Sequence, residues 1–178
     1  PGGVLNLPVR NHLLRDDISA AFVRCRRVVD AMDRVLGGEV YHYHHKMILK
    51  EPFVGGAWEW HQDYGYWYDI GCLFPDLASC LIAVDRATRE NGCLQVLRGS
   101  QAMGRITHMK TGDQTGADPE RVAVAAAPLE SVYVEMAPGD ALFFHAHLLR
   151  RRDQTRSDNN RWARCFCSHA RSTHPLRV

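Results

Sequence analysis

A histidine and an aspartate, His61 and Asp63, stand two residues apart in a stretch rich in aromatic side chains. If this stretch is a strand, the alternation of side chains places the imidazole and the carboxylate on one face. They are two of the three ligands of the 2-His-1-carboxylate triad, which holds a non-heme Fe(II) and leaves positions open for oxygen and a co-substrate. Trp58, Trp60 and Trp67 are expected to enclose a small, dry chamber around them. The motif does not identify the third ligand.

The composition is that of an ordinary globular chain, with 178 residues, 46% hydrophobic and 24% charged. This length predicts a single domain over residues 1–178. Because the chain opens at Pro1 without an initiator methionine, we expect the domain to lack part of its N-terminal region. A net charge of +2 favours neither nucleic acid nor an acidic membrane as a partner, and it leaves the oligomeric state open.

No apolar run approaches the ~20 residues of a membrane span, so the protein is expected to be soluble and cytoplasmic. The six cysteines have no C-x-x-C spacing and are predicted to be buried free thiols in a reducing compartment. A zinc site built from them is not expected.

A supporting helix is predicted over residues 17–36, where apolar side chains recur at helical spacing. Asp16 or Asp17 is expected to cap its start, and Gly37-Gly38 is expected to end it. Its apolar face is predicted to pack against a sheet.

From residue 39 onward the hydrophobic period changes to two, which is typical of strands. In the first strand, residues 39–50, alternation aims His42, His44 and Lys46 to one face. The further predicted strands are 58–62, 79–85, 93–97, 131–136, 141–149 and 161–168. Many strands with glycine-rich turns predict a mainly β jelly-roll sandwich. Residues 112–119 are predicted to form a loop that closes over a site, followed by a short helix over 120–127.

Several motifs occur in an order that resembles a known family. Residues 58–67 read Trp-Glu-Trp-His-Gln-Asp-Tyr-Gly-Tyr-Trp and residues 138–145 read Pro-Gly-Asp-Ala-Leu-Phe-Phe-His, with further matches at 87–94 and 96–100. Over about residues 39–170 the chain resembles the phytanoyl-CoA dioxygenase family of Fe(II)/2-oxoglutarate oxygenases, and within it the branch labelled L-proline trans-4-hydroxylase-like. The resemblance implies a double-stranded β-helix of cupin-like type. It also implies the hydroxylation of a small molecule, an amino acid or similar metabolite, with Fe(II), 2-oxoglutarate and O2.

The resemblance also implies roles for particular residues. His61 and Asp63 match two catalytic iron ligands, and Arg161 matches the arginine that pairs with the distal carboxylate of 2-oxoglutarate. A planar guanidinium suits this role because it binds a carboxylate through two hydrogen bonds. Lys46 is a further candidate contact for the co-substrate, with a solvent-facing lysine as the alternative. The residues expected to line the substrate pocket are Gln62, Trp60 and Trp67, although the tryptophans could equally belong to the core.

The chain departs from the family pattern around the site. Arg150 stands where the family has its distal iron-binding histidine, and a guanidinium offers no lone pair to a metal. Arg152 stands where a small hydroxyl residue usually helps to hold 2-oxoglutarate.

Three interpretations of Arg150 follow. In the first, His147 or His145 replaces the missing ligand, although alternation along one strand places position 147 on the face opposite to 150. In the second, His61 and Asp63 bind a metal weakly, with water completing its shell. In the third, catalysis is lost, Arg150 pairs with Asp63, and the protein binds an anionic metabolite or a partner without turnover.

Overall fold

The structure, a computed structural model, describes residues 5–9, 18–53 and 56–173. The helices are α1 (Ile18–Val23), α2 (Arg26–Leu36), α3 (Asp63–Asp69) and α4 (Pro119–Ala126). The strands are β1 (Leu5–Val9), β2 (Val40–Lys50), β3 (Trp58–His61), β4 (Leu77–Ala83), β5 (Leu94–Leu97), β6 (His108–Thr111), β7 (Gln114–Ala117), β8 (Ser131–Val134), β9 (Ala141–His145), β10 (Arg150–Arg152) and β11 (Arg161–Ala170).

Two antiparallel sheets form the body of the protein. The larger has the strand order β1-β2-β11-β4-β9 and the smaller has the order β3-β10-β5-β8. Buried side chains from both sheets make one core between them, with Ala163 and Cys165 from β11 and Leu94 and Val96 from β5. This arrangement confirms the mainly β jelly-roll prediction, and it leaves the functional residues between the two sheets.

The predicted helix over 17–36 is divided into α1 and α2. Cys25 between them has an extended backbone with φ −65° and ψ 119°. Gly37 ends α2 as expected, because its φ of +75° is accessible to glycine at little cost. Asp16 and Asp17, the predicted caps, lie outside the described residues. The supporting role is confirmed, since Met32 of α2 packs against Phe166 on the outer face of the larger sheet.

A bulge in β2 changes the direction of its histidines. The register between β2 and β11 shifts at Tyr43, which has no partner in the ladder. His42 therefore turns to His45, with its Nε2 3.0 Å from the Nδ1 of that ring. His44 instead packs against Trp67, with the ring centroids 5.7 Å apart. The prediction that His42 and His44 point to the same side was wrong because an extra residue inverts the alternation locally.

Two segments differ from the predicted strands and loops. The predicted strand over 141–149 ends at His145, and after a turn the chain enters the other sheet as β10. Within residues 112–119, predicted as a loop, Gln114–Ala117 form β7 and pair with β6 in a hairpin. This hairpin packs beside β3, where the backbone amide of Glu59 donates to Oε1 of Gln114 over 3.2 Å. Helix α4 follows within a residue of its predicted bounds.

Within the described ranges no helix is both long and apolar enough to cross a membrane. All six cysteines are free thiols, as expected, and all except the partly exposed Cys25 are buried.

Candidate active site

A cavity of about 250 Å³ lies between the two sheets and brings together most of the residues expected to act there. Its aromatic walls are Trp58, Tyr66 and Trp67. Its ionisable side chains are Lys46, His61, Asp63, Arg150 and Arg152. The β6–β7 hairpin does not line this cavity, so the expectation that residues 112–119 cover the site is not supported.

His61 and Asp63 reach the cavity from different elements, because β3 ends at His61 and α3 begins at Asp63. The expectation that both lie on one strand was wrong, but the extended Gln62 between them keeps both side chains at the cavity. The Nδ1 of His61 donates to the carbonyl of Glu59 over 2.7 Å, which leaves Nε2 as the nitrogen with a lone pair. Burial and the charge of Arg150 lower the pKa of His61 well below its usual value. The imidazole is therefore neutral and able to accept a hydrogen bond or bind a metal.

The carboxylate of Asp63 has a partner on each oxygen. Ser79 donates its hydroxyl to Oδ2 over 3.3 Å, and Arg150 donates Nη2 to Oδ1. Burial alone would raise the pKa of Asp63, but the charges of Arg150 and Lys46 hold it below its usual range. The acid is ionised and paired.

Arg150 occupies the position from which the missing ligand would be expected. On β10 it lies directly opposite His61 of β3 and Val96 of β5. Its guanidinium is buried and lies 5.1 Å from the ring centroid of Phe144. Burial would lower the pKa of Arg150, but its pairing with Asp63 raises the pKa, so the side chain is a permanent cation.

These donors do not fit a 2-His-1-carboxylate iron centre. His61 and Asp63 are two ligands, and the guanidinium that lies with them cannot be a third. Across the described residues, no set of three His, Cys, Asp or Glu side chains is arranged to hold a metal ion.

The structure does not bring His147 to this pair. Because β9 ends at His145, His147 lies in the turn that follows, with its ring 5.0 Å from that of Tyr64 and 5.1 Å from that of His145. Positions 147 and 150 do not share one continuous strand, as the expectation of opposite faces required, but belong to a turn and to a strand of the other sheet.

Two buried arginines, Arg152 and Arg161, fit a different ligand, a carboxylate such as the distal group of 2-oxoglutarate. Arg161 is only 3% exposed, and among the described residues its Nε and Nη2 have no hydrogen-bond partner. The buried Nε of Arg152 also lacks one. Burial, together with the nearby charges of Arg161 and Arg150, lowers the pKa of Arg152 to about 9. Buried donors without partners are costly, so an anion would satisfy them.

Lys50 is a buried cation that sequence reasoning missed. It lies opposite Arg161 in the β2–β11 ladder, is 0% exposed, and donates Nζ to the carbonyl of Asp153. Burial and the charge of Arg161 lower its pKa to about 7. The two-residue alternation of β2 could have indicated this burial, because Lys50 lies with Lys46 and Ile48 on the face of the strand that points between the two sheets.

Gln62 does not line the cavity, in contrast to the substrate contact expected for it. Its side chain is 0% exposed. Nε2 donates to the carbonyls of His147 over 2.8 Å and Gly104 over 3.2 Å, and Oε1 accepts from the amide of Ile106 over 2.7 Å. The amide group joins three segments and helps to position His61 and Asp63. Trp67, by contrast, lies in the cavity wall.

Comparison with known proteins identifies the class to which this fold and site belong. The sequence profile of the family described as phytanoyl-CoA dioxygenase (PhyH) matches residues 4–163. The chain belongs to this family, whose members depend on Fe(II) and 2-oxoglutarate.

Two relatives illustrate the activities found there. The chain is 40% identical over 92 residues to L-proline trans-4-hydroxylase of Streptomyces griseoviridis, a match that covers 51% of this chain and 34% of the relative. It is 32% identical over 123 residues to methylphosphonate hydroxylase of Gimesia maris, covering 68% of this chain and 42% of that one. The chain thus spans less than half the length of either relative.

Solved structures agree on the fold. EctD from S. alaskensis with bound Fe superposes with a TM-score of 0.82 at 20% identity, over 97% of this chain and 59% of that one. EctD with 2-oxoglutarate and 5-hydroxyectoine gives 0.81 at 21% identity, over 96% and 58%. The double-stranded β-helix implied by the sequence is confirmed.

Proposed function

We propose that the cavity binds 2-oxoglutarate and that the protein belongs functionally with its relatives, as a dioxygenase that hydroxylates a small polar molecule. One observation carries the proposal: the guanidinium of Arg161 is buried, has two nitrogens without a partner among the described residues, and lies near Arg152, which lines the cavity with His61 and Asp63. Such a guanidinium suits a buried carboxylate, and the family uses a dicarboxylate as co-substrate.

In this proposal Arg161 and Arg152 hold the distal carboxylate of 2-oxoglutarate, and Lys46 contributes a third positive charge. Trp58 and Trp67 exclude water from the chamber and form its apolar wall. With iron bound, 2-oxoglutarate would be oxidised to succinate and CO2 and a C–H bond of the substrate to C–OH. Each oxidation would supply two of the four electrons that reduce O2, and one oxygen atom would enter succinate and the other the new hydroxyl group. The substrate is a small polar metabolite, and the free thiols favour a reducing, cytoplasmic location.

A second candidate function is favoured by the contact between Arg150 and Asp63. Because Arg150 engages the carboxylate that a metal would need, the site can bind its anion without catalysing a reaction. The protein would then be a metabolite-binding member of the family.

Anaerobic titration with Fe(II) in the presence of 2-oxoglutarate, on wild type and His61→Ala, tests these functions. Micromolar binding that is lost in the variant, together with succinate formation when O2 is admitted, would support the hydroxylase. Binding of 2-oxoglutarate with no Fe(II) signal above that of His61→Ala would support the second candidate. If 2-oxoglutarate binds neither in the presence nor in the absence of Fe(II), both candidate functions are wrong.

A further inference from the structure

The cavity has an excess of positive charge. Of the described residues that line it, three are cationic, Lys46, Arg150 and Arg152, whereas one, Asp63, is an acid. Arg161 lies close enough to Arg152 to lower its pKa, and Lys50 adds a further buried amine beside Arg161. Burying like charges together is unfavourable unless anions compensate them.

Asp63 neutralises only part of this charge. Its Oδ1 binds Nη2 of Arg150, while the buried Nε of Arg150 has no partner within the part of the chain that the structure describes. Arg152 also lines the cavity and Arg161 lies near it, and both have buried nitrogens without a partner among the described residues. Donors are therefore available at two places, one at Arg150 and one at Arg152 with Arg161.

The spacing of these places suits a short dicarboxylate. Arg150 and Arg152 are residues i and i+2 of β10, so their Cα atoms are roughly 7 Å apart on one face of the strand. The terminal carbons of a five-carbon diacid are about 5 Å apart in an extended chain. A cavity of about 250 Å³ has room for such a molecule.

We infer that the guanidinium of Arg150 replaces, in this chain, the positive charge that a metal ion supplies in the family's site, so that the cavity binds a dicarboxylate of the 2-oxoglutarate type without metal. The inference rests on the second of the two proposed functions, binding without turnover, since it concerns the same cavity and ligand. One carboxylate binds Arg152 and Arg161, and the other binds Arg150 and Lys46.

Calorimetric titration of 2-oxoglutarate, with EDTA present and separately with anaerobic Fe(II), tests the inference. The informative variant is Asp63→Asn combined with Arg150→Met, because it removes both members of the buried pair and leaves neither charge unpaired. Arg151→Met is the matched control: Arg151 is on the same strand but contacts Gln95 and the ring of Trp60, away from the cavity. Circular dichroism verifies that each variant is folded, and propionate serves as a monocarboxylate probe.

We expect wild type to bind 2-oxoglutarate equally well in EDTA and in Fe(II), and to bind propionate at least tenfold more weakly. The double variant should lose at least tenfold in affinity, and Arg151→Met should change by less than twofold. Binding that appears only with Fe(II), or metal-free binding that the folded double variant retains, would overturn the inference while leaving the proposed function in place. Absence of binding under both conditions would overturn the proposed function as well.

Discussion

Arg150 lies directly opposite His61 across the β3–β10 ladder, and it reaches from there to the carboxylate of Asp63. Directly opposed residues on antiparallel strands project to the same face, so a histidine at position 150 would stand beside His61. The backbone arrangement of a three-ligand site is therefore present. One side chain changes it from a metal centre into an ion pair.

Replacing Arg150 by histidine is expected to complete the donor set. Loss of a residue that only supports a metal ligand typically lowers metal affinity about 10–100-fold. Gain of a ligand itself should therefore raise Fe(II) affinity by at least this factor. Succinate should then form from 2-oxoglutarate in air. The measurements are anaerobic Fe(II) titration and succinate detection, with Arg151→His as the control that places histidine on the opposite face. If Arg150→His gains neither, Arg152 also obstructs the site.

Breaking the buried pair is expected to destabilise the fold. Arg150→Met alone leaves the Asp63 carboxylate buried without its cation, which should cost about 3–5 kcal/mol of unfolding free energy. Asp63→Asn combined with Arg150→Met should cost much less than the sum of the two single changes, because no charge remains unpaired. Urea denaturation of the four proteins measures the coupling. Additive costs would show that the interaction free energy between Arg150 and Asp63 is zero.

Gln62 is expected to act on stability through its three side-chain hydrogen bonds. Gln62→Met leaves two buried carbonyls and one amide without this partner, and should lower the unfolding free energy by about 3 kcal/mol. The exposed Gln101 provides the control, since Gln101→Met should change stability by no more than about 0.5 kcal/mol. Unchanged stability with weakened substrate binding would instead support the substrate contact predicted from sequence.

Lys50 is expected to make stability depend on pH. Burial and the charge of Arg161 lower its pKa from 10.5 to about 7 in the folded protein. Between these values the unfolded chain binds more protons at this site, so stability rises with pH there. The penalty of the buried ammonium is complete below about pH 7.

Lys50→Met should therefore be more stable than wild type at pH 6, by about 1 kcal/mol or more, and this advantage should shrink as the pH approaches 10. Urea denaturation across this range, in buffers without phosphate or carboxylate, is the measurement. Lys110→Met is the control, because Lys110 is exposed. A stability difference for Lys50→Met that stays constant with pH would contradict the assignment.

Local sequence patterns identified several elements because the physics that produces them is local. Three predicted features depend only on neighbours within a few positions. They are the two-residue period of β2, the end of α2 at Gly37 with its left-handed backbone, and the helix that begins at Pro119. The bulge at Tyr43 depends on pairing with the distant β11, and the β6–β7 hairpin depends on packing beside β3, so neither was predicted. The turn after His145 was missed for the same reason, since the chain there leaves one sheet for the other.

The sequence by itself determined the family and the jelly-roll class, and it indicated His61, Asp63, Arg150 and Arg161 as the residues of interest. It could do so because the order of motifs and the chemistry of each side chain can be read from the sequence without the fold. Only the tertiary structure decided that Arg150 binds Asp63, that His147 lies elsewhere, and that Lys50 is buried beside Arg161. These facts depend on strand register between residues up to 111 positions apart, since Lys50 and Arg161 meet only across the β2–β11 ladder (161 − 50 = 111). Register is set by the packing of the whole sandwich, which no local pattern encodes.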